Sequence, residues 1–115
     1  MPKPRKSRAR TNAGTVAPLF AALGDETRLR LVFRICREGP LSITSLTDGA
    51  DVTRQAITKH LRTMEHAGLM RSVRNGRESV WQLEGDRLEE ARQYFDLISR
   101  QWDDSLSRLK VLVED

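Results

Sequence analysis

Residues 51–70 read DVTRQAITKHLRTMEHAGLM, and the placement of this stretch decides the fold. Thr53 suits an N-cap and Gly68 a stop, so an amphipathic helix is expected from Arg54 to about residue 67. At about 100° per residue, Arg54, Gln55, Thr58, Lys59 and Arg62 fall within one arc of about 140°. Ile57, Leu61 and Met64 fall outside that arc, on the side that packs. Upstream, Thr44 is expected to cap a brief helix over SLTDGA, with Asp51 as a turn residue tolerant of left-handed backbone. Ile43, Leu46, Val52, Ile57 and Leu61 supply apolar contacts that hold the two helices at a steep angle. In such a helix-turn-helix the second helix projects, and it fits a DNA major groove about 12 Å wide.

Downstream, LMRSVRNGRESVWQL changes period. Two β-prone runs, 69–74 and 77–83, flank Asn75-Gly76, a strong signal for a two-residue hairpin. Arg74 and Arg77 then stand on either side of its tip, and Trp81 and Leu83 share the face that covers the core. A short helix, a turn, a second helix and a hairpin make a winged helix-turn-helix.

The rest of the chain frames this unit. A first helix is expected across TVAPLFAALG, with Val16, Leu19, Phe20 and Leu23 at helical spacing, Pro18 in the first turn and Gly24 at the end. Asp25 suits the N-cap of ETRLRLVFRICRE, where Leu29, Val32, Phe33 and Cys36 form an i, i+3, i+4, i+7 stripe expected to be buried. Gly39-Pro40 stops that helix, and LSIT is a short extended stretch. From Asp86 the pattern is helical to the end. Leu88, Ala91, Phe95, Ile98, Trp102, Ser105, Leu109 and Leu112 recur on a seven-residue repeat with one small polar exception. Such a helix is about 40 Å long at 1.5 Å per residue, longer than so small a domain. Its apolar seam therefore points to pairing with another chain. The expected organisation is mainly α with a small β-hairpin: a disordered basic arm at 1–13, a DNA-binding unit at 14–85 and a dimerisation helix at 86–115.

Charge follows the same division. The 115 residues carry a formal net charge of +4, with +5 in 1–13, −1 in 14–51, +5 in 52–77 and −5 in 78–115. A basic centre beside an acidic end suits a polyanion-facing side on an acidic body. No run of apolar residues is long enough for a transmembrane helix and no secretory h-region precedes the first helix. The single cysteine excludes an internal disulfide. A cytoplasmic protein with no membrane partner is expected. No nucleophile–base pair, glycine-rich phosphate loop or convergent acid pair is present, so no enzymatic activity is expected; Glu89-Glu90 and Asp103-Asp104 read as solvated helix surface.

The donor arc has a defined chemistry. Arg and Lys donate to guanine O6 and N7, Gln pairs with adenine N6 and N7, and the Thr methyl touches thymine. Thr53 stands at a helix N-terminus, where backbone N–H groups favour a phosphate. Arg74, Asn75 and Arg77 at the hairpin tip are placed for the adjacent backbone or minor groove. With these residues in place, LGDETRLRLVFRICREGPLSITSL, VTRQAITKHLRTMEHAGLMRSVRNGRESVWQL and the long terminal helix resemble the ArsR/SmtB family of bacterial winged helix-turn-helix repressors, across about residues 15–113. FDLISRQWDDSLSRLKVLVE resembles a branch of that family whose terminal helix carries a Trp and an R-L-K segment. The resemblance implies a homodimer built from the first and last helices, with Leu19, Leu88, Phe95, Ile98, Trp102 and Leu109 at its seam. It also implies repression from a pseudo-palindromic operator in double-stranded DNA. By position it assigns the groove to Thr53, Arg54, Gln55, Thr58, Lys59 and Arg62, and the wing to Arg74 and Arg77. Asp51 replaces the usual Gly and Thr47 the usual Ala.

Many members of that family release DNA when a metal binds, through closely spaced Cys in the third helix or Asp/His and His/Glu sets on the terminal helix. SLTDGA has no Cys and the terminal helix has neither His nor Cys. Cys36 falls on the stripe expected to be buried, His60 beside the packing arc and His66 at a helix end. No metal or other cofactor is therefore expected, and no small-molecule effector is identified. Two alternatives stand beside the repressor reading: a winged-helix protein-interaction module, which would expose an apolar patch on the second helix, and a DNA-binding regulator switched through the Cys36 thiol.

Overall fold

A computed structural model describes residues 12–114; the expected basic arm lies outside them except for its last two residues. Those two belong to the first helix. Asn12 caps α1 (Ala13–Leu23): its side chain accepts from the Thr15 N–H while the Thr15 hydroxyl accepts from the Asn12 N–H. The earlier start corrects the place of Pro18, which stands in the second turn, where the Gly14 carbonyl loses its i+4 donor.

Asp25 caps α2 (Glu26–Glu38), accepting from the Arg28 N–H at 3.0 Å. After β1 (Leu41–Ser42) comes α3 (Ile43–Thr47), five residues long. Its cap is Ser42 rather than Thr44, through a bond from the Ser45 N–H. Thr47 donates its hydroxyl back to the Ile43 carbonyl at 2.7 Å, so its extra bulk over Ala is tied to its own helix. The left-handed backbone of the turn falls on Gly49 at φ 74°, and no described non-glycine residue has positive φ. Asp51 therefore needs no such tolerance. Thr53 caps α4 (Arg54–His66) by accepting from the Ala56 N–H.

The wing is β2 (Met70–Asn75) against β3 (Glu78–Leu83), with β3 central between β2 and β1. Asn75 pairs with Glu78, so the two-residue loop is Gly76-Arg77, one position later than expected from Asn75-Gly76. Gly76 has φ 67° and Arg77 does not, which is the type II′ pattern with glycine first. Asn75 is thus a strand residue and Arg77 a tip residue.

The core gathers Val16 and Leu19 of α1, Leu31, Val32 and Ile35 of α2, Leu46, then Ile57, Leu61 and Met64 of α4, Leu69, Met70, Trp81 and Ala91. Two expectations are corrected here. Leu19 is 0% exposed inside its own chain and has no surface left for a partner; Phe20 is the exposed apolar residue beside it. On α2 the buried stripe is Leu31, Val32 and Ile35, whereas Leu29, Phe33 and Cys36 are exposed.

The last helix, α5 (Gly85–Glu114), is about 45 Å long at 1.5 Å per residue. Its first turns are part of the core rather than a separate dimerisation unit: Ala91 is buried, and Leu88 and Tyr94 pack against the cluster. Arg87 ties three elements together, donating to Glu90, to the Thr15 carbonyl and to the Ala67 carbonyl. From Phe95 on, no α5 residue is buried, and the helix runs out to give a molecule 66 Å in its longest dimension.

Candidate nucleic-acid interface

Two elements set the pose of α4. Ile57, Leu61 and Met64 seat one face in the core. On its flank, His60 Nδ1 accepts from Arg28 Nη1 at 3.1 Å, since a guanidinium can only donate. Arg28 Nε also donates to the Ala22 carbonyl, so one side chain pins α4 to the α1–α2 junction. The hydrogen bond from the Arg28 N–H holds the Asp25 carboxyl below its ordinary pKa, and the Arg28 guanidinium nearby acts the same way against partial desolvation. His60 is thus a packing residue that orients the helix.

The opposite face presents the expected set. Thr53, Arg54, Gln55, Lys59 and Arg62 are exposed and Thr58 is half-buried. They do not form one equivalent group. The Thr58 hydroxyl donates to the Arg54 carbonyl, which leaves its methyl as the outward feature. Arg62 is engaged within the chain, 3.0 Å from Glu65 and with its guanidinium 5.5 Å from the Trp81 ring centre. Arg54 has one polar side-chain partner, the Thr44 hydroxyl at 3.5 Å. Arg54 and Lys59 have no ion pair among the described residues, and neither does Arg74 nor Arg77; the other described bases without one are Arg100, Arg108 and Lys110 on α5, and Arg28, held on α2 by a backbone carbonyl and His60. Most remaining bases are neutralised locally, as in Arg34 with Glu38, Arg71 with Glu84 and Arg92 with Glu89.

The wing brings its tip back to the start of α4. An open groove of about 360 Å3 is lined by Ser42, Thr44, Arg54, Arg77, Glu78 and Ser79. Arg54 and Arg77 therefore face one concavity although 23 positions separate them in sequence. Arg74 and Asn75 lie exposed on β2, paired with Ser79 and Glu78. The groove adds Ser42 and Ser79, which the sequence did not single out, and Thr44, which it marked only as a cap. For Ser42 and Thr44 the signal was present in the hydroxyl-rich LSITS, but there a cap and a groove residue look alike; Ser79 stands in the hairpin run RESVW, where nothing marks it. No large apolar side chain is exposed on α4 or the hairpin among the described residues.

Thiol and imidazole donors sit apart: Cys36 exposed on α2, His60 against Arg28, His66 exposed at the end of α4. Among the described residues no three His, Cys, Asp or Glu side chains gather as a metal site, and no helix is long and apolar enough to cross a membrane.

Comparison with known proteins gives the same architecture. Residues 23–73 match a family described as a helix-turn-helix domain. The arsenic resistance transcriptional regulator ArsR1 of Pseudomonas putida is 32% identical over 65 residues, 56% of this chain and 51% of that protein. The chain thus aligns with about half the length of that relative. The uncharacterised HTH-type transcriptional regulator YuzN of Bacillus subtilis is 37% identical over 73 residues, 58% of this chain and 79% of YuzN. The solved structure of an ArsR-like transcriptional regulator from Rhodococcus sp. RHA1 superposes with a TM-score of 0.73 at 35% identity, covering 86% of this chain and 92% of that one.

Proposed function

The chain belongs to the ArsR/SmtB family of winged helix-turn-helix, DNA-binding transcriptional regulators, and from that premise we propose a homodimeric repressor that occupies a pseudo-palindromic operator. The observation that carries the reading is the shared groove of Arg54 and Arg77, two cations without acid partners on separate elements. Placing such charges against phosphate releases counterions, and one acid, Glu78, shares the groove with them without forming an ion pair among the described residues. In this reading α4 enters the major groove, with Arg54, Gln55 and Lys59 reaching base edges, the Thr58 methyl available to thymine and Arg62 steadied on Trp81. Thr53 and the wing residues Arg74, Asn75 and Arg77 hold the backbone. Two copies related by a dyad read half-sites one helical turn, or a multiple, apart. The lack of exposed apolar side chains on α4 favours DNA over a protein partner at this face.

Arg77→Ala is expected to weaken operator and random duplex by similar factors. It should also lower the slope of log affinity against log salt by about 0.9 for each phosphate that is no longer neutralised, hence by about two in a dimer. Titration of both duplexes between 50 and 200 mM salt, about the range over which phosphate neutralisation is felt, checks this. An unchanged slope would remove Arg77 from the interface.

The regulator is also proposed to act without the metal switch of many relatives. The separate positions of Cys36, His60 and His66 support this, because a zinc site needs several such donors converging. Stoichiometric zinc added to the dialysed protein is expected to leave operator affinity within twofold, roughly the scatter of such titrations and far below the coupling of about 5- to 150-fold typical of an allosteric ligand.

A further inference from the structure

Helix α2 has two apolar faces, and the fold uses one. Leu31, Val32 and Ile35 enter the core. Leu29, Phe33 and Cys36 follow each other at i, i+4 and i+7 on another face; Leu29 is 51% and Phe33 65% exposed, and the Cys36 thiol is exposed at the end of the row. Within the chain, what lies over the Phe33 ring is the Arg37 guanidinium, 5.8 Å from its centre. A leucine and a phenylalanine one turn apart in water form a patch that calls for a cover.

Beyond the body, α5 carries the complementary row. Trp102, Leu106, Leu109 and Val113 recur at intervals of four, three and four, and are 62%, 44%, 56% and 77% exposed. This row is distinct from the groove where α1 meets the start of α5, which is lined by Phe20, Leu88, Ala91 and Phe95. Size shows that this groove is not enough. A stable interface buries about 800 Å2 per partner. A fully buried aromatic side chain supplies about 150–250 Å2, and Phe20 and Phe95 are already partly covered at 37% and 59% exposure. Two such rings and their neighbours give a few hundred Å2, so a seam confined to the first helix and the start of the last falls short.

We propose that a second copy of this chain covers the α2 face. The far half of its α5 docks Trp102, Leu106, Leu109 and Val113 along Leu29, Phe33 and Cys36, and the dyad repeats the contact in reverse. The inference rests on the homodimer reading and adds where its second surface lies. Each row is stepped by four and three, and ridges of that spacing interlock. The α2 row spans about 10 Å over seven residues and the α5 row about 16 Å over eleven, so the docking helix reaches past both ends of the row it covers. Charge agrees as well. Asp103 and Asp104 beside Trp102 have no ion pair among the described residues, and Arg30 and Arg37 flank the α2 row with side chains 72% and 67% exposed, held only by surface pairs with Glu26 and Glu38 of the same helix, which are weak enough to be exchanged for a partner's carboxylates. An isologous contact uses α2 and α5 of both protomers, which doubles the added area. Cys36, open in the protomer, becomes covered in the dimer.

Cys36 is the chain's one cysteine and reports the contact without engineering. The full-length protein is measured by light scattering and labelled with N-ethylmaleimide. The expected result is a dimer whose Cys36 reacts at least tenfold more slowly than in the urea-unfolded chain. Leu109→Asp, and independently Leu106→Glu, should raise labelling to the unfolded rate and weaken the dimer at least tenfold. Both positions are exposed in the protomer, so the core is untouched; far-UV circular dichroism verifies the fold. A dimer in which wild-type Cys36 reacts as fast as in the unfolded chain overturns the α2 contact and leaves the homodimer standing. A dimer in which Cys36 stays protected in both variants overturns α5 as its cover. A monomer at micromolar concentration overturns the contact and the homodimer together.

Discussion

Arg54→Ala is expected to reduce affinity for the cognate operator by about 1–3 kcal/mol per half-site, roughly 5- to 150-fold. The loss on random duplex should be several times smaller. Arg54 is the first residue of α4, so its side chain stands at the end that enters a major groove first. Its tie to the Thr44 hydroxyl is long, at 3.5 Å, so redirecting the guanidinium to a guanine edge sacrifices little. Arg62 makes the opposite case: with Glu65 at 3.0 Å and Trp81 under its plane, moving it to a base breaks an ion pair and a cation–π stack. Arg54→Lys separates charge from shape. It retains a cation for phosphate but loses the planar fork, so it should restore affinity for random duplex without restoring discrimination. Fluorescence anisotropy on an operator selected from random duplexes, beside a scrambled control, measures all three proteins. If Arg54→Ala lost equally on both duplexes, Arg54 would be a phosphate contact; if it lost nothing on either, α4 would not be the reading helix.

The reading helix was legible because its constraints are local. A cap at Thr53, a stop near Gly68 and three apolar residues on one side suffice to orient 13 residues, and Ile57, Leu61 and Met64 are the ones the fold buries. The hairpin was legible to within one residue. Asn75-Gly76 and Gly76-Arg77 are both acceptable two-residue turns, and the choice falls to pairing: with Met70 opposite Leu83 and Ser72 opposite Trp81, the loop has to fall at Gly76-Arg77. The sequence misled at α2 and Leu19, where burial is decided by distant partners. Leu29, Val32, Phe33 and Cys36 fit the i, i+3, i+4, i+7 pattern more completely than Leu31, Val32 and Ile35, yet the second set faces the core. Periodicity shows that a face is apolar; it does not tell which body covers it. α2 is apolar on two sides, and that doubling was itself the clue to a second surface. The meeting of Arg54 with Arg77 depends on how β3 pairs with β1 and where α3 begins, both non-local, so the donors along one helix could not show it.

Trp81→Ala is expected to destabilise the protein by about 3–5 kcal/mol, the range for deleting a large buried aromatic. For a domain of this size that lowers Tm by roughly 12–40 °C. Trp81 is 2% exposed on the central strand, opposite Leu41 on one side and Ser72 on the other, so its loss leaves a cavity where three strands meet. Trp81→Phe tells which property of the ring matters. The indole N–H is buried and finds no acceptor among the described residues. A buried donor without a partner costs about 1–3 kcal/mol, comparable to the apolar area given up by the smaller ring. The two terms oppose each other, so Trp81→Phe should stay within about 1 kcal/mol of wild type while Trp81→Ala falls well below it. Urea melts at fixed protein concentration measure both. Equal losses in the two variants would mean that the indole nitrogen is bonded after all and that the ring is held by polarity. DNA binding adds a second readout in the folded Phe variant: Arg62 keeps an aromatic surface beneath its guanidinium, and operator affinity should be preserved. A large loss of affinity there, with stability intact, would show that the indole itself sets the pose of Arg62.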